Sequence, residues 1–576
     1  MQSDLFEVTR DEGVTAQTRT VGLDIPLNKE FPVARAMRRI RACILKGLAP
    51  VVAFSSGKDS SALANLVLNT AREMRESGEA VTPIIVVHSD TEVEQPEVSA
   101  LARSELAKME RFARTHGLEL EVRIGKPVLS SSWAVRILGG RGLPSFPDGR
   151  NDCSVNWKVD VNTKLLEQAY RDLGQREGVS DVVVMTGVRQ DESSVRNQRI
   201  KLRGEVAEGV WENEAGKLRA SPILDFSVDD VWEYLGYCAA GVEPSYSDFA
   251  DVMQIYASAG GSSCVVVADM KMAGAQKACG SRFGCWACVK VASDQSMDNM
   301  IAGDALRYGY LKPLADLRNY ISKTQYDWSK RQFVGRTIDA DGYIAIGADT
   351  YSPDMLADLL AFTLTAQVES GVSVINYQHL VGIDARWSLY GLHPPFTALK
   401  IYFEVMGGKR RRAPDVVRHP KTPVPKIGKL FVGRQWEVID GPNSLSGLRD
   451  ASRELHAEHC GLDLKTLNNG NIVIDDESSE GMEVDEEGAA DFVEFCGEEM
   501  VEQYCRPDFP DWAAGYMTYL GYGTIQIAKG RSTQIDAILR RTRWRQAHNL
   551  HGQRSAQELR ERCEVLYEEQ LELLAA

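Results

Sequence analysis

The 576-residue sequence contains no run of about 20 apolar residues, the length needed to cross a bilayer as a helix, and it does not open on a basic segment followed by an apolar one. These absences lead to the expectation of a cytoplasmic protein with no membrane partner. A positive charge balance is also missing: 66 Lys and Arg stand against 81 Asp and Glu, a net charge of −15. Bulk attraction to a polyanion is thereby excluded, and any nucleic-acid contact has to come from local basic patches. There is no internal repeat, and no Walker spacing G-x-x-x-x-G-K-S/T, so phosphate binding of that kind is not on offer. What is present is a globular composition, 44% hydrophobic and 26% charged. The eleven cysteines read, in a reducing compartment, as buried thiols plus a metal site in preference to disulfides.

At roughly 100–200 residues per domain the chain has room for three to five units. Residues 1–30 are polar and weakly periodic, an N-terminal arm. Over 31–245, short Val/Ile-rich runs (Val51 to Phe54, Ile84 to Val87, Leu120 to Ile124, Val182 to Met185) alternate with helical patterns (Ala34 to Ala49, Ser60 to Ser77, Glu97 to His116), which predicts an α/β domain with a doubly wound, mostly parallel sheet. Ser227 with Asp230 three residues on reads as a helix N-cap. Residues 246–330 form a Gly/Cys-rich segment, 331–460 a mostly helical region, and 461–576 an α-rich region with a basic tail. Within these, Ala413 to Lys426 is Pro-rich and extended, Asp475 to Glu487 reads as a solvated acidic loop, and Arg531 to Arg562 as one long helix with eight arginines.

Phe54-Ser55-Ser56-Gly57-Lys58-Asp59-Ser60 joins a buried strand to a helix start. Small residues let backbone amides face inward, and the positive helix end adds to Lys58, a combination that suits a phosphate chain. His88-Ser89-Asp90-Thr91 and Gly187-Val188-Arg189-Gln190-Asp191-Glu192-Ser193 follow two further strands, and ligands of open α/β sheets sit beyond such strand ends. The first loop resembles the S-G-G-K-D-S signature of the PP-loop, HUP-like ATP pyrophosphatases, with Ser56 replacing the first glycine. The other two resemble that family's acidic element and its G-x-R-x-x-E-S loop.

Cys279, Cys285 and Cys288 are spaced C-x5-C-x2-C, with glycines between them. A C-x2-C turn brings two thiolates to one metal or cluster, and a closed zinc or [4Fe–4S] site needs a fourth ligand, for which Cys153 and Cys264 are the candidates. Together with the PP-loop, Cys279-Gly280-Ser281-Arg282-Phe283-Gly284-Cys285-Trp286-Ala287-Cys288 resembles the DndC and SspD proteins of DNA phosphorothioation, relatives of phosphoadenylylsulfate reductase that carry an iron–sulfur cluster. The resemblance covers roughly residues 45–300 and selects Cys153, followed by Trp157-Lys158, over Cys264.

The resemblance implies an ATP pyrophosphatase that adenylylates a DNA backbone oxygen for sulfur insertion in an antiphage system, with ATP, Mg²⁺ and a [4Fe–4S] cluster as cofactors. Its expected partners are DNA, a cysteine desulfurase and other phosphorothioation components. Lys58, Asp59 and Arg189 become the expected catalytic residues; Ser55, Ser56, Gly57 and Ser60 join them around the nucleotide, and Asp90 positions the nucleotide or its Mg²⁺. DNA contacts are expected at Arg410 and Arg411 and at Arg540, Arg541, Arg543 and Arg545, since phosphate-pairing arginines give affinity without reading sequence. Alternative functions are reduction of an adenylylated sulfate, tRNA thiolation, and a non-catalytic nucleotide-binding subunit of a defence complex. The reductases resemble one another in an E-C-G-[LI]-H segment, whose nearest string here is His459-Cys460-Gly461-Leu462-Asp463.

Overall fold

The computed structural model describes residues 20–22, 31–144, 155–192, 204–260, 283–332, 338–345, 350–425, 428–433, 482–528 and 530–575, with short pieces of the stretches between. The chain divides into two compact units, one of residues 1–127, 151–286 and 293–309, the other of 128–150, 287–292 and 310–576.

The first unit is built on a seven-stranded sheet. Its strands are β1 (Thr20–Gly22), β2 (Leu48–Ala53), β3 (Ile84–Ser89), β4 (Leu120–Gly125), β5 (Asp181–Met185), β6 (Gly209–Glu212) and β7 (Leu218–Ala220), in the order β1-β6-β7-β5-β2-β3-β4. From β7 to β4 every pairing is parallel, with Val52 opposite both Val86 and Met185, while β6 and β1 extend the edge antiparallel. The central strands are apolar apart from their ends, Asp181 of β5 and His88-Ser89 of β3, because both faces are covered. Alternate residues serve alternate faces. Val52, Ile84 and Val86 join α1 (Pro32–Leu45), α2 (Lys58–Glu76) and α3 (Pro96–Thr115) in one core, whereas Val51, Ile85 and Val87 join α4 (Asp160–Leu173) in the other. The expected boundary near residue 245 falls inside the first of these cores. Phe249, Val252, Ile255 and Tyr256 pack there too, on and before α6 (Ala250–Gly260), behind α5 (Val228–Ala239), whose Ser227 and Asp230 form the expected capping box.

The chain leaves β2 toward β3 and β4, then crosses back to place β5 on the other side of β2. The loops after β2 and β5 therefore diverge at a topological switch point, where doubly wound sheets open a crevice. This is the α/β arrangement expected from the strand and helix pattern. The three edge strands are four residues or shorter, below the length at which alternation is readable.

The second unit is mostly helical. Its main helices are α7 (Lys312–Lys323), α8 (Pro353–Ser370), α9 (Tyr377–Leu389), α10 (Thr397–Met406), α11 (Ala514–Gly521), α12 (Ser532–Ala547) and α13 (Ala556–Ala575). α8 is apolar nearly all round because it is the buried centre, with Leu356, Leu359, Leu360 and Leu364 fully enclosed. Residues 128–144, which sequence order places between β4 and α4, belong here because α9 grips them. Arg386 donates to the carbonyls of Ser130 and Val135 at 2.8 Å each, and Trp387 Nε1 to that of Leu138 at 2.7 Å.

Two expectations are corrected in this unit. The basic tail is two helices, separated at a turn where Asn549 and Gly552 both take positive φ (56° and 66°). Residues 475–481 of the acidic stretch lie outside the described residues, and the rest of it is not a loop: Met482–Val484 pairs with Ile525–Ile527, and Asp485 caps the helix Glu486–Asp491 by accepting the Gly488 N–H at 2.6 Å. Acidic residues stabilise a helix start, which is why this one tolerates Glu486 and Glu487. Among the described residues, no helix is long and apolar enough to cross a membrane.

Candidate nucleotide site

The loop after β2 is held by its own hydroxyls. Ser60 Oγ accepts the Ser55 N–H at 3.2 Å, donates to the Gly57 carbonyl at 2.9 Å, and lies 3.1 Å from Ser55 Oγ. Ser56 takes φ 54°, the left-handed conformation that favours glycine, at the position where the PP-loop signature has glycine. The first intrahelical bond of α2 is Ser61 N–H to Gly57 C=O, 2.9 Å, so the amides before it belong to the unpaired positive end of the helix.

Two cations meet at this end. Lys58 Nζ is 3.2 Å from Asp59 Oδ2, and Arg189, on the loop after β5, donates through Nε to Asp59 Oδ1 at 2.6 Å. Asp59 thus ties the two loops of the switch point together. The approach is close because residue 187 is glycine: a Cβ there would lie 2.9 Å from the Asp59 carbonyl oxygen and 3.1 Å from the Ser60 nitrogen. Arg189 is buried, and its Nη1 has no hydrogen-bond partner among the described residues, with Asp191 3.9 Å away. A buried guanidinium with an unspent donor beside a helix N-terminus is an anion site in waiting.

Residues 49–288 match the phosphoadenosine phosphosulfate reductase domain. No curated protein matches the chain. Among solved structures, the phosphoadenylyl-sulfate reductase of Candida auris in a phosphate complex is 12% identical with a TM-score of 0.22, over 38% of this chain and 91% of that one. The FMN adenylyltransferase of Candida glabrata with FMN and an ATP analogue is 12% identical with a TM-score of 0.23, over 42% and 66%. The U34-tRNA thiolase NcsA of Methanococcus maripaludis with its [4Fe-4S] cluster is 14% identical with a TM-score of 0.23, over 35% and 63%. Likenesses this slight carry no function. The fold class is that of the PP-loop, HUP-like proteins.

In the reductase-like domain the loop after β3 does two jobs. The Asp90 N–H donates to the Gly125 carbonyl at 2.9 Å and its carboxylate accepts the Glu92 N–H at 3.0 Å, a turn-capping role at the strand end. Further along, Glu94 forms an antiparallel bridge with Cys285, and the Trp286 N–H donates to the Val93 carbonyl at 2.9 Å. Lys158 reaches the same Glu94 at 3.3 Å. The segment leading to Cys285 is thereby fastened to the sheet end that carries Asp90. Cys285 and Cys288 are partly buried cysteines, a donor chemistry that suits iron or zinc. Cys153, Cys264 and Cys279 lie outside the described residues, among which no three ligating side chains converge. In the second unit, Arg318 grips the chain at and after Cys288, donating to the carbonyls of Cys288 and Ala292 at 2.9 Å each and to that of Val291.

The tail arginines are a correction. Arg540 is buried and paired with Asp536 at 2.9 Å and with the Leu445 carbonyl; Arg543 pairs with Asp511 at 2.9 Å; Arg545 donates to the Tyr390 and Leu550 carbonyls at 3.2 Å each. Burial lowers the guanidinium of Arg541 and pushes that of Arg545 down to about 10. Arg540, Arg543 and Arg545 are spent on contacts within the second unit and do not present a row of charge to phosphates. Breaking the buried Arg540–Asp536 pair by Arg540→Gln is expected to cost about 3–5 kcal/mol of stability, since Asp536 stays behind uncompensated. A melting curve checks this, and the salt dependence of DNA binding should not move. Of the other basic run, Arg411 pairs with Asp358 and Arg412 with Glu369, while Arg410 is exposed.

Sequence reasoning missed Tyr256. Its hydroxyl accepts the Lys58 N–H at 3.3 Å, and Lys58 Nζ sits 5.5 Å from its ring centroid. Nothing local distinguishes this tyrosine from any aromatic residue on an amphipathic helix.

The contact at Gly187 gives a direct test of the switch point. Gly187→Ala should force the β5 loop off the start of α2, costing about 1–3 kcal/mol as overpacking does. Displacing Arg189 by even about 1 Å should also lower turnover at this site by roughly 10²-fold. Unchanged turnover by a well-folded variant would show that the two loops do not act as one site.

Proposed function

We propose that the first unit binds ATP and cleaves it between the α and β phosphates, passing AMP to an oxygen of a second substrate that a sulfur nucleophile then replaces. The observation that carries this is the meeting, at the switch point, of the α2 N-terminus with Lys58 and the buried Arg189 across Asp59. In this reading the amides of Ser55 to Ser60 orient the pyrophosphate, and Lys58 and Arg189 neutralise the charge that builds on it as it leaves. Asp59 offsets the repulsion between the two cations and holds them at their working spacing. Asp90, at the neighbouring strand end, positions the nucleotide or its Mg²⁺, for which a carboxylate is a suitable hard ligand.

The acceptor in this proposal is a non-bridging oxygen of the DNA backbone, with a cysteine desulfurase and other phosphorothioation components as partners. The motif resemblance supports it, and Arg410 is exposed and open to a phosphate contact. Cys153, Cys279, Cys285 and Cys288 would hold a [4Fe–4S] cluster, which supplies sulfur relay, electron transfer or a structural clamp when bound.

The test is product analysis with purified protein, with and without DNA. AMP and pyrophosphate are expected; ADP and phosphate as the main products would remove the mechanism. A second reading, reduction of an adenylylated sulfate, is favoured by the domain match, and it predicts sulfite from phosphoadenylylsulfate and a thiol reductant without any DNA. The chain's nearest equivalent of the reductase cysteine segment, at Cys460, lacks the glutamate and final histidine and lies outside the described residues.

A further inference from the structure

The amide that begins α2 is already in use. Lys58 N–H is the first helical donor, the one a phosphate oxygen would take, and in this structure its acceptor is the phenolic oxygen of Tyr256. At 3.3 Å the bond lies beyond the usual N–H···O range, long enough to be given up readily. The tyrosine is well fixed: its ring makes edge contacts with Trp232 and Phe283, each at 5.2 Å between centroids, and Lys58 is nearly buried. The unspent Nη1 of Arg189, across Asp59, is an independent sign that an anion belongs here.

We propose that the Tyr256 hydroxyl competes with a phosphate oxygen for the Lys58 amide and gives up that amide when nucleotide binds. This rests on the ATP reading above and adds to it a residue that sets affinity by competition. By satisfying a buried donor, the hydroxyl stabilises the nucleotide-free protein and weakens nucleotide binding by the same amount. Phe283 lies two residues before Cys285, so the tyrosine ring also touches the cysteine segment.

The experiment compares wild type, Tyr256→Phe and Lys58→Ala in direct binding of α,β-methylene ATP, which resists cleavage between the first two phosphates. Phenylalanine keeps the ring contacts and deletes the hydroxyl, leaving the Lys58 amide unsatisfied until phosphate arrives. Tyr256→Phe should therefore bind the analogue about tenfold more tightly while melting at a lower temperature without nucleotide. A merely structural tyrosine would lower the melting temperature and leave affinity unchanged, and a tyrosine that contacts the bound nucleotide would weaken it on removal. Either result overturns the proposal but leaves the ATP reading standing. If wild type does not bind the analogue, or Lys58→Ala binds it equally well, the ATP reading fails and takes this proposal with it. Should Tyr256→Phe not fold, ¹⁹F NMR of the full chain with 3-fluorotyrosine at position 256 decides: the resonance should shift on adding the analogue, and a fixed resonance with the analogue bound counts against displacement.

Discussion

Lys58→Ala is expected to lower ATP cleavage by about 10²–10³-fold while leaving the fold intact, the size of effect seen when one preorganised charge is removed from a site where negative charge develops. The two halves of this expectation have separate grounds. The rate falls because the ammonium, nearly buried and held by Asp59 at 3.2 Å, needs no reorganisation to meet the leaving pyrophosphate. The fold survives because Lys58 is the first residue of α2, where alanine is the best helix former, and because Asp59 keeps its second cation in Arg189 at 2.6 Å. That shared carboxylate has a further consequence. Lys58 and Arg189 are coupled through Asp59, so the double variant should lose less than the sum of the two single losses in free energy. Single-turnover formation of AMP, followed beside a melting curve, measures both halves. Turnover equal to wild type would refute the phosphate role of the lysine, and additive losses would show that Asp59 does not couple the pair.

The parts of this site that could be read from the sequence are those in which local chemistry and tertiary role coincide. β2, β3 and β5 were legible because strands covered on both faces have to be apolar along most of their length, and the loop at Ser55 was legible because a turn of small residues before Lys-Asp-Ser has few other uses. Even the serine at position 56, which departs from the family signature, adopts the left-handed backbone a glycine would supply. Where the reading failed, long-range pairing decided the outcome. Arg540 looks like part of a basic face on a helix, yet Asp536 one turn earlier and the Leu445 carbonyl nearly a hundred residues away draw it inside. Residues 128–144 sit between elements of the first unit in sequence and pack under Arg386 and Trp387 of the second. Tyr256 and Glu94 matter through what they touch, and neither residue type nor spacing announces such a contact.

Protein purified without oxygen is expected to carry about four irons per chain, with a broad absorption shoulder near ~400 nm, if Cys153, Cys279, Cys285 and Cys288 form one four-thiolate site. The structure bears on this at Cys285. Its backbone is bridged to Glu94, and Trp286 beside it is buried and tied to the Val93 carbonyl, so the residue is held at a fixed place beside the loop after β3. Cys285→Ser should therefore lose most of the iron without unfolding the domain, because serine keeps the backbone and the packing and removes only the soft donor. Lys158 bears on the fourth ligand. It lies five residues after Cys153 and pairs with the same Glu94 that bridges Cys285, which brings the chain following Cys153 to that strand edge. Cys153→Ser is accordingly expected to lose iron, and Cys264→Ser to keep it. The reverse pattern would move the fourth ligand to Cys264 and leave the cluster in place. Stoichiometric zinc with no iron would instead remove the cluster, because a closed zinc site can bind the same thiolates but cannot exchange electrons.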